Sequence, residues 1–461
     1  QSDDQKANCG LQGMILDGQG NEIKFGYWGG KPNWRRHHDA LDHTSILQSE
    51  ERVLNQSSRS HLLSTLRDLE RNNCITKAIV QTFISNVGKC SLVSQTEDQD
   101  YNRQKDKFFS RYFKKLEISG HGLSHVIQCI VTDLLLSGEI FVILTRGSSI
   151  QLIPSERCCS SASKSKRKRN ESDGLVFDRF GNVKQFRISK IKDGVVDKDD
   201  GVYINAKDVI HIKNTSRVGQ HKGTPLLASA AETLFQIHEV QSAFSSKVKA
   251  SSALVGFITS NQPHSEKFNF NDFDEEPLRS TYTKIPQNGI LLLENGESVN
   301  FLQGGNVDGV DRFLNQLAMY ACASVGITLE NITGWSNASF SSSKATRAVT
   351  NHRFNLFREF IEENFLNRLA MWRCYKATNE DELPSLDGDD YHFDFSFNWN
   401  KASSLDRRQD AQTDALLIEN NLASLTEIFA MNGKDFESES EQMMKDKAKL
   451  RELSEKYGFT E

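Results

Sequence analysis

Two helical patterns bracketing a strand-and-turn insertion constrain the fold of this chain more than any other feature. Thr224-Pro225 reads as an N-cap with proline at the first helical position, and Leu227, Ala231, Leu234, Ile237, Phe244 and Val248 then share one face out to residue 250. Residues 251–303 switch to short apolar runs and turns, including an apolar run at 290–293 between Gly289 and Gly296. Helical spacing returns over 308–325 through Val310, Phe313, Leu317 and Tyr320 or Ala321. A Gly-, Asn- and Ser-rich stretch at 326–341 leads to another long helix over 342–372. Val349, Phe357, Phe360, Ile361, Phe365, Leu369 and Trp372 give that helix a wide core-facing stripe.

Upstream, 57–88 carries a helical pattern through Leu62, Leu63, Leu66, Leu69, Ile75, Ile79 and Phe83 that closes at Gly88. A helix is predicted over 123–136 and a strand over 139–144, followed by short strands at 175–177, 183–188 and 209–212 around the Gly181-Asn182 turn. Tyr391, Phe393, Phe395, Phe397 and Trp399 alternate as one aromatic face of a strand. Residues 1–45 sustain neither period and read as an extended arm. Residues 405–461 read as charged helices with a small apolar face (Leu416, Leu417, Leu422, Leu425, Ile428, Phe429), a separate terminal module. Together these signals predict an α+β fold.

The 461 residues suffice for two or three domains with a substantial core. A formal net charge of −5 argues against a surface that grips nucleic acid through its phosphates. The most apolar stretch, 126–144, is interrupted by Asp133 and Glu139, so no membrane span is expected, and residues 1–30 lack the pattern of an export signal. The eight cysteines form no C-x-x-C pair and are read as reduced thiols.

No constellation of catalytic residues is complete. There is no G-x-x-x-x-G-K-[ST] loop for a nucleotide-driven motor, no G-x-S-x-G, no H-E-x-x-H and no full G-x-G-x-x-G, so neither an enzyme nor a cofactor is expected. The string from Gly120 through His121, Ser124 and His125 reads as helix-start chemistry, and the basic run Lys164, Lys166, Arg167, Lys168, Arg169 as a solvated loop. Asp387, Asp389, Asp390, His392 and Asp394 could offer oxygen ligands to a divalent cation but read as a polar turn. The enzymatic alternative is a metal-dependent hydrolase using Asp389, His392 and Asp394.

The order of several blocks resembles the lambda family of phage portal proteins. Arg71-Asn72-Asn73, Ala78-Ile79-Val80 and Asn86-Val87-Gly88 match an early helix and its closing glycine. Gly120, Ser137-Gly138-Glu139-Ile140-Phe141 and Leu152-Ile153-Pro154 form a second block, with Gly174, Asp178 and Gly181 following in register. Most specific is Val209-Ile210-His211, Arg217, Gly219-Gln220 and Lys222-Gly223-Thr224-Pro225, which is similar to the family's H…R-x-G-Q-x-R-G-x-P signature with Lys222 where arginine is usual. Ile332-Thr333-Gly334 and Phe340-Ser341-Ser342-Ser343-Lys344-Ala345 resemble a further block, in which Lys344 stands near a position that often holds arginine. The resemblance continues through Trp399, Asp410-Ala411 and 420–424, covering 66–436.

The resemblance implies a portal fold of wing, helical stem, clip and crown. Residues 1–45 would be the amino-terminal arm, 46–223 the wing, 224–250 and 306–326 the stem helices, and 251–305 the clip. Residues 327–341 would be a channel loop, 342–404 a long helix with a wing return strand, and 405–461 the crown. It further implies a homo-oligomeric ring of about twelve copies at one capsid vertex of the virion, assembled in the host cytoplasm. That ring would pass double-stranded DNA and dock the major capsid protein, the terminase large subunit and a head-tail adaptor. Asn331, Trp335, Ser336, Asn337, Ser339 and Lys344 are the expected DNA-facing residues of the channel loop. The alternative within structural proteins is another minor capsid or head-tail connector protein.

Overall fold

In the computed structural model, the described residues are 54, 56–253, 256–260, 297–301, 309–334, 340–384, 394–399, 407–431 and 436–457. The amino-terminal arm at 1–45, the apolar run at 290–293 and Cys9 lie outside them. Residues 1–235 with 317–461 form one compact unit, and residues 236–316 form a second.

The first unit opens with α1 (Gln56–Asn72) and α2 (Cys74–Val87). The sequence reads as one helical run here, but the chain breaks it at Asn73, whose backbone turns extended (φ −110°, ψ 118°). The Asn73 side-chain oxygen accepts from the N–H groups of Ile75 and Thr76 at 2.9 and 3.1 Å, and its amide donates to the Leu234 carbonyl at 3.0 Å. A short amide that can satisfy orphan N–H groups of a new helix competes with continuing the old one. Asn73→Ala is expected to cost about 1–2 kcal/mol in urea unfolding. An unchanged midpoint would mean that packing alone fixes the break.

After β1 (Cys90–Ser94) and α3 (Gln99–Tyr112), α4 (Leu123–Leu136) begins where predicted, at Gly122. It buries Leu123, Val126, Ile127, Ile130, Val131 and Leu134 to Leu136, more than one face, which is why its pattern is nearly continuous in apolar residues. Gly138 then turns the chain directly into β2 (Glu139–Leu144), which pairs antiparallel with β3 (Ile150–Pro154). A separate antiparallel sheet follows, β4 (Glu171–Ser172), β5 (Leu175–Phe177), β6 (Val183–Lys192) and β7 (Val195–Asn205), in that order. β8 (Val209–Lys213) returns to the other edge of β2, giving a three-stranded sheet in the order β3-β2-β8. Phe141, Ile153, Cys158, Leu175, Phe186, Ile188 and Val209 pack between the two sheets as a common core.

The basic run is exposed over 165–169, as expected of a solvated loop, but two of its members are tied down: Arg167 donates to the Ser161 carbonyl, and Lys168 donates to Gln185 while lying 4.0 Å from the Tyr203 ring centroid. These contacts latch it to the four-stranded sheet.

The long helix after Pro225, α5 (Ala231–Ala253), starts later than the sequence predicts, after a 3₁₀ turn at Ala228–Ala230. In the second unit, β9 (Gly256–Ser260) and β10 (Glu297–Phe301) pair antiparallel, Gly256 opposite Phe301. α6 (Val310–Ser324) matches the predicted helix. The stretch read as a continuous loop contains a helical turn, α7 (Leu329–Thr333), opened by a Thr328/Asn331 capping box and closed at Gly334.

α8 (Phe340–Ile361) widens into a π turn at Glu362–Leu366 and resumes as α9 (Asn367–Asn379), so the predicted helix is longer and interrupted. Phe83 on α2 meets Phe354 and Phe357 on α8 edge-on, and Arg358 donates to the Asn86 and Val87 carbonyls at the end of α2. β11 (Phe395–Trp399) pairs with β1, Cys90 opposite Trp399. The chain continues through α10 (Arg407–Glu419), α11 (Leu425–Met431) and α12 (Phe436–Tyr457). Among the described residues no helix is long and apolar enough to cross a membrane.

Candidate functional site

The signature residues His211, Gln220, Lys222, Gly223 and Pro225 converge with Glu139 on one buried joint, where the sheet meets the segment that leads into α5. Register brings the first pair together: Phe141 lies opposite His211 in the β2/β8 ladder, and Glu139, two residues earlier, shares its face. The Glu139 side chain is fully buried and accepts four hydrogen bonds. One oxygen takes Ser155 Oγ at 2.9 Å and Lys222 Nζ at 3.1 Å. The other takes His211 Nε2 at 2.9 Å and the Gly223 N–H at 2.9 Å. An ionised carboxylate only accepts, so His211 carries its proton on Nε2. Lys222 Nζ also donates to the Cys158 carbonyl at 3.0 Å and lies 5.0 Å from the Phe141 ring centroid, over which His211 stacks at 4.3 Å.

Further hydrogen bonds from Gln220 and Arg59 fix the loop itself. Gln220 donates to the Lys222 carbonyl and to Thr224 Oγ1, and accepts from the Ser216 N–H. Arg59 on α1 donates to the Gly223 carbonyl and sits 3.4 Å from Asp173. Thr224 does not cap a helix: its N–H goes to the Asn214 carbonyl and its own carbonyl accepts from the Asn214 side chain. Leu226 and Leu227 donate to the Leu134 and Leu135 carbonyls at the end of α4. Those N–H groups are the ones a helix starting at Pro225 would leave unpaired, so docking on α4 delays the helix to Ala231.

Burial pushes the Glu139 carboxyl up, but Lys222, then His211 and Arg59, outweigh it and hold it well below the ordinary carboxylate range. Burial opposes the Lys222 ammonium as well, and the Cys158 sulfur and Glu139 carboxylate raise its proton affinity above the ordinary lysine value. For His211 burial wins over the Glu139 hydrogen bond and depresses its pKa. A depressed folded value means that the neutral imidazole contributes stability above the unfolded pKa of about 6.5, lost as pH falls through the folded value. The urea midpoint should therefore drop between pH 7.5 and pH 5.5. A His211→Gln variant should show a shallower decline; equal declines would remove His211 from the account.

The other sequence candidates fall outside this joint. Arg217 and Gly219 lie on the exposed turn between β8 and Gln220. Asn331 is half-exposed and caps α7, its oxygen accepting from the Thr328 N–H and hydroxyl and from Thr350 Oγ1 at 3.2 Å. Ser342, Ser343 and Lys344 lie in the first turns of α8. Trp335, Ser336, Asn337 and Ser339 lie outside the described residues, as do Asp387, Asp389, Asp390 and His392. Asp394 is exposed, and among the described residues no group of three or more acidic, histidine or cysteine side chains is placed to hold a metal.

Glu139, Arg59 and Ser155 were missed as site residues by sequence reasoning. The available signal was Glu139 itself, an acid interrupting the most apolar stretch of the chain, since a buried charge requires partners.

With its charged members buried, the joint is architectural: it holds an α+β body and the start of a long helix in fixed register. Residues 45–358 match the family described as phage portal protein, lambda family. The chain belongs to that family. Among solved structures, a chain of the neck of the empty gene transfer agent particle, computed with C6 symmetry, shares the fold at a TM-score of 0.50 and 14% identity, covering 80% of this chain and 93% of that one. A chain from the virion of the native gene transfer agent particle gives a TM-score of 0.48 at 13% identity, covering 81% and 93%. An HK97-family phage portal protein from Corynebacterium diphtheriae gives 0.37 at 12% identity, covering 76% and 97%. No curated protein matches the sequence.

Proposed function

We propose that this portal protein closes into a ring at one capsid vertex of the virion and serves as the conduit for double-stranded DNA during packaging and ejection. The observation that carries the reading is the family match over 45–358, which includes the whole buried joint and both helices flanking the insertion. In this reading 46–223 is the wing, 224–250 and 306–326 the stem, 251–305 the clip, 342–404 the long helix with the return strand, and 405–461 the crown. The joint at Glu139 and Lys222 then fixes the segment from which the first stem helix starts. Ring closure needs unlike faces of successive copies to meet at one fixed rotation, so a rigidly held stem is a physical requirement of the assembly.

The net charge of −5 per copy suits a sleeve. A polyanion slides through a surface that does not neutralise its phosphates, because each phosphate neutralised deepens the binding. Residues 327–341 are the part of the chain that meets the DNA, through neutral polar side chains, with Lys344 at the edge. The protein is structural rather than enzymatic, works without a cofactor, and presents its clip to the terminase large subunit and a head-tail adaptor and its wing to the major capsid protein. It assembles in the host cytoplasm before entering the virion.

Electron microscopy with native mass spectrometry tests the reading. A closed ring of about twelve copies around a channel wider than duplex DNA, roughly 20 Å, is expected, and a compact dimer with no channel would refute it. Replacing residues 335–339 with a short glycine linker should leave rings intact while packaging or DNA retention falls. Unchanged packaging would remove the loop from the DNA path.

A further inference from the structure

Resting on the ring reading above, we propose that the exposed face of α3 holds the phosphate backbone of packaged duplex DNA, off the path along which DNA slides. In a chain of net charge −5, residues 103–115 carry six basic side chains against one acid, Asp106. Lys105 is buried, while Arg103, Lys107, Arg111 and Lys114 are exposed and follow one another at helical spacing, so they share one face. Lys114 comes from the 3₁₀ turn Phe113–Lys115 that ends the helix. None of the four forms an ion pair among the described residues. The acids nearby are engaged or set apart: Asp98 accepts from the N–H groups of Asp100 and Tyr101, and Asp106 accepts from the Ser94 N–H and hydroxyl. Asp100 sits in the first turn, ahead of the stripe. From another element, Glu441 on α12 feels Arg103: Lys445 first, and then Arg103, hold its carboxyl below the ordinary range.

Composition and spacing identify the occupant as nucleic acid. No large apolar side chain between residues 99 and 117 is exposed. The centre of a protein–protein interface gathers aromatic and apolar groups and is poor in lysine, so this face suits a polyanion instead. From Arg103 to Lys114 the helix and its closing turn rise about 16 Å, the length over which one strand of B-DNA presents roughly five phosphates. The basic run at 164–169 is the weaker candidate because acids lie against it: the Lys168 N–H donates to the Glu171 carboxylate, and Lys166 lies beside Asp199. A surface that neutralises phosphates would brake a sliding duplex, so the stripe acts on DNA at rest and not on DNA in transit.

Fluorescence anisotropy of a labelled duplex of about ten base pairs, one helical turn, titrated with the full-length chain from roughly 50 to 200 mM salt, tests the stripe. Native mass spectrometry counts copies in the same samples. Four phosphate contacts predict that log affinity falls against log salt with a slope of about −3.6. Arg103→Gln, Lys107→Gln, Arg111→Gln and Lys114→Gln combined should weaken binding by at least about tenfold at the lowest salt and flatten the slope. Lys107→Gln with Lys114→Gln alone should reduce the slope by about 1.8. Both variants change exposed side chains, so unchanged urea midpoints are expected and show that they fold. No binding by the unaltered chain, or equal affinity and slope in the folded variants, would overturn the stripe and, with rings intact, leave the portal reading standing. A poly-glutamate peptide of equal charge that binds as tightly as the duplex would overturn nucleic acid in favour of an acidic protein. A chain that binds duplex through these four side chains yet never forms rings would sink the ring reading while upholding the site.

Discussion

Lys222→Met is expected to be among the most destabilising single side-chain substitutions in the chain, lowering the unfolding free energy by roughly 3–5 kcal/mol. The methionine fills nearly the same volume, so packing is conserved and the loss reports on charge. Glu139 would keep its Ser155, His211 and Gly223 partners but lose the cation that offsets its complete burial. The Cys158 carbonyl would lose its lysine donor as well. Urea unfolding at fixed protein concentration measures the effect, because assembly makes apparent stability concentration-dependent. Adding Glu139→Gln to Lys222→Met should recover part of the loss, since no unpaired charge then remains buried. A double variant that is worse than the single one would show that the hydrogen bonds of Glu139, and not its charge, hold the joint.

Gly223→Ala and Gly138→Ala should act on the same joint through sterics. A Cβ on Gly223 would sit 2.0 Å from the Gly138 carbonyl oxygen and 2.6 Å from its carbon. A Cβ on Gly138 would lie 2.2 Å from the Thr224 carbonyl carbon, at a backbone φ of +79° that side chains disfavour. The obstructing atoms are backbone on both sides, so relief requires moving the segment that leads into α5 away from the end of α4. Each substitution is expected to cost at least about 3 kcal/mol, the upper end of overpacking, and to abolish ring formation even where the monomer still folds. Gly147→Ala is the control: no atom lies within 4 Å of its Cβ, and a change within about 0.5 kcal/mol is expected. Rings of normal size from Gly223→Ala would show that the joint tolerates displacement and does not set assembly.

How far the sequence reached differs from element to element. The helix at Leu123–Leu136 and the strand at Glu139–Leu144 were legible to the residue, because a nearly all-apolar helix ended by Ser137-Gly138 leaves little choice of boundary. The break at Asn73 was not, since apolar spacing runs through it and only a side-chain amide aimed at Ile75 and Thr76 overrides that spacing. The start of α5 was placed too early for a related reason: Thr-Pro is good local start chemistry, but the N–H groups that follow are taken by carbonyls of α4 some ninety residues away, at Leu134 and Leu135. The π turn at Glu362–Leu366 likewise has no signal in the apolar stripe, although Glu362 meets the indole N–H of Trp399 there.

By itself, the sequence determined the α+β class, most of the helices and strands, and membership of the portal family, all of which depend on local period, on turn residues or on the order of short motifs. It also placed His211, Gln220, Lys222, Gly223 and Pro225 in one signature. Only the tertiary structure decided what that signature is for. Glu139 and Lys222 are 83 positions apart, and a charge pair becomes structural when burial removes water from both partners. Burial is a property of the folded surface as a whole, so the pairing that fixes the segment leading into α5 could not be read from either residue's neighbours.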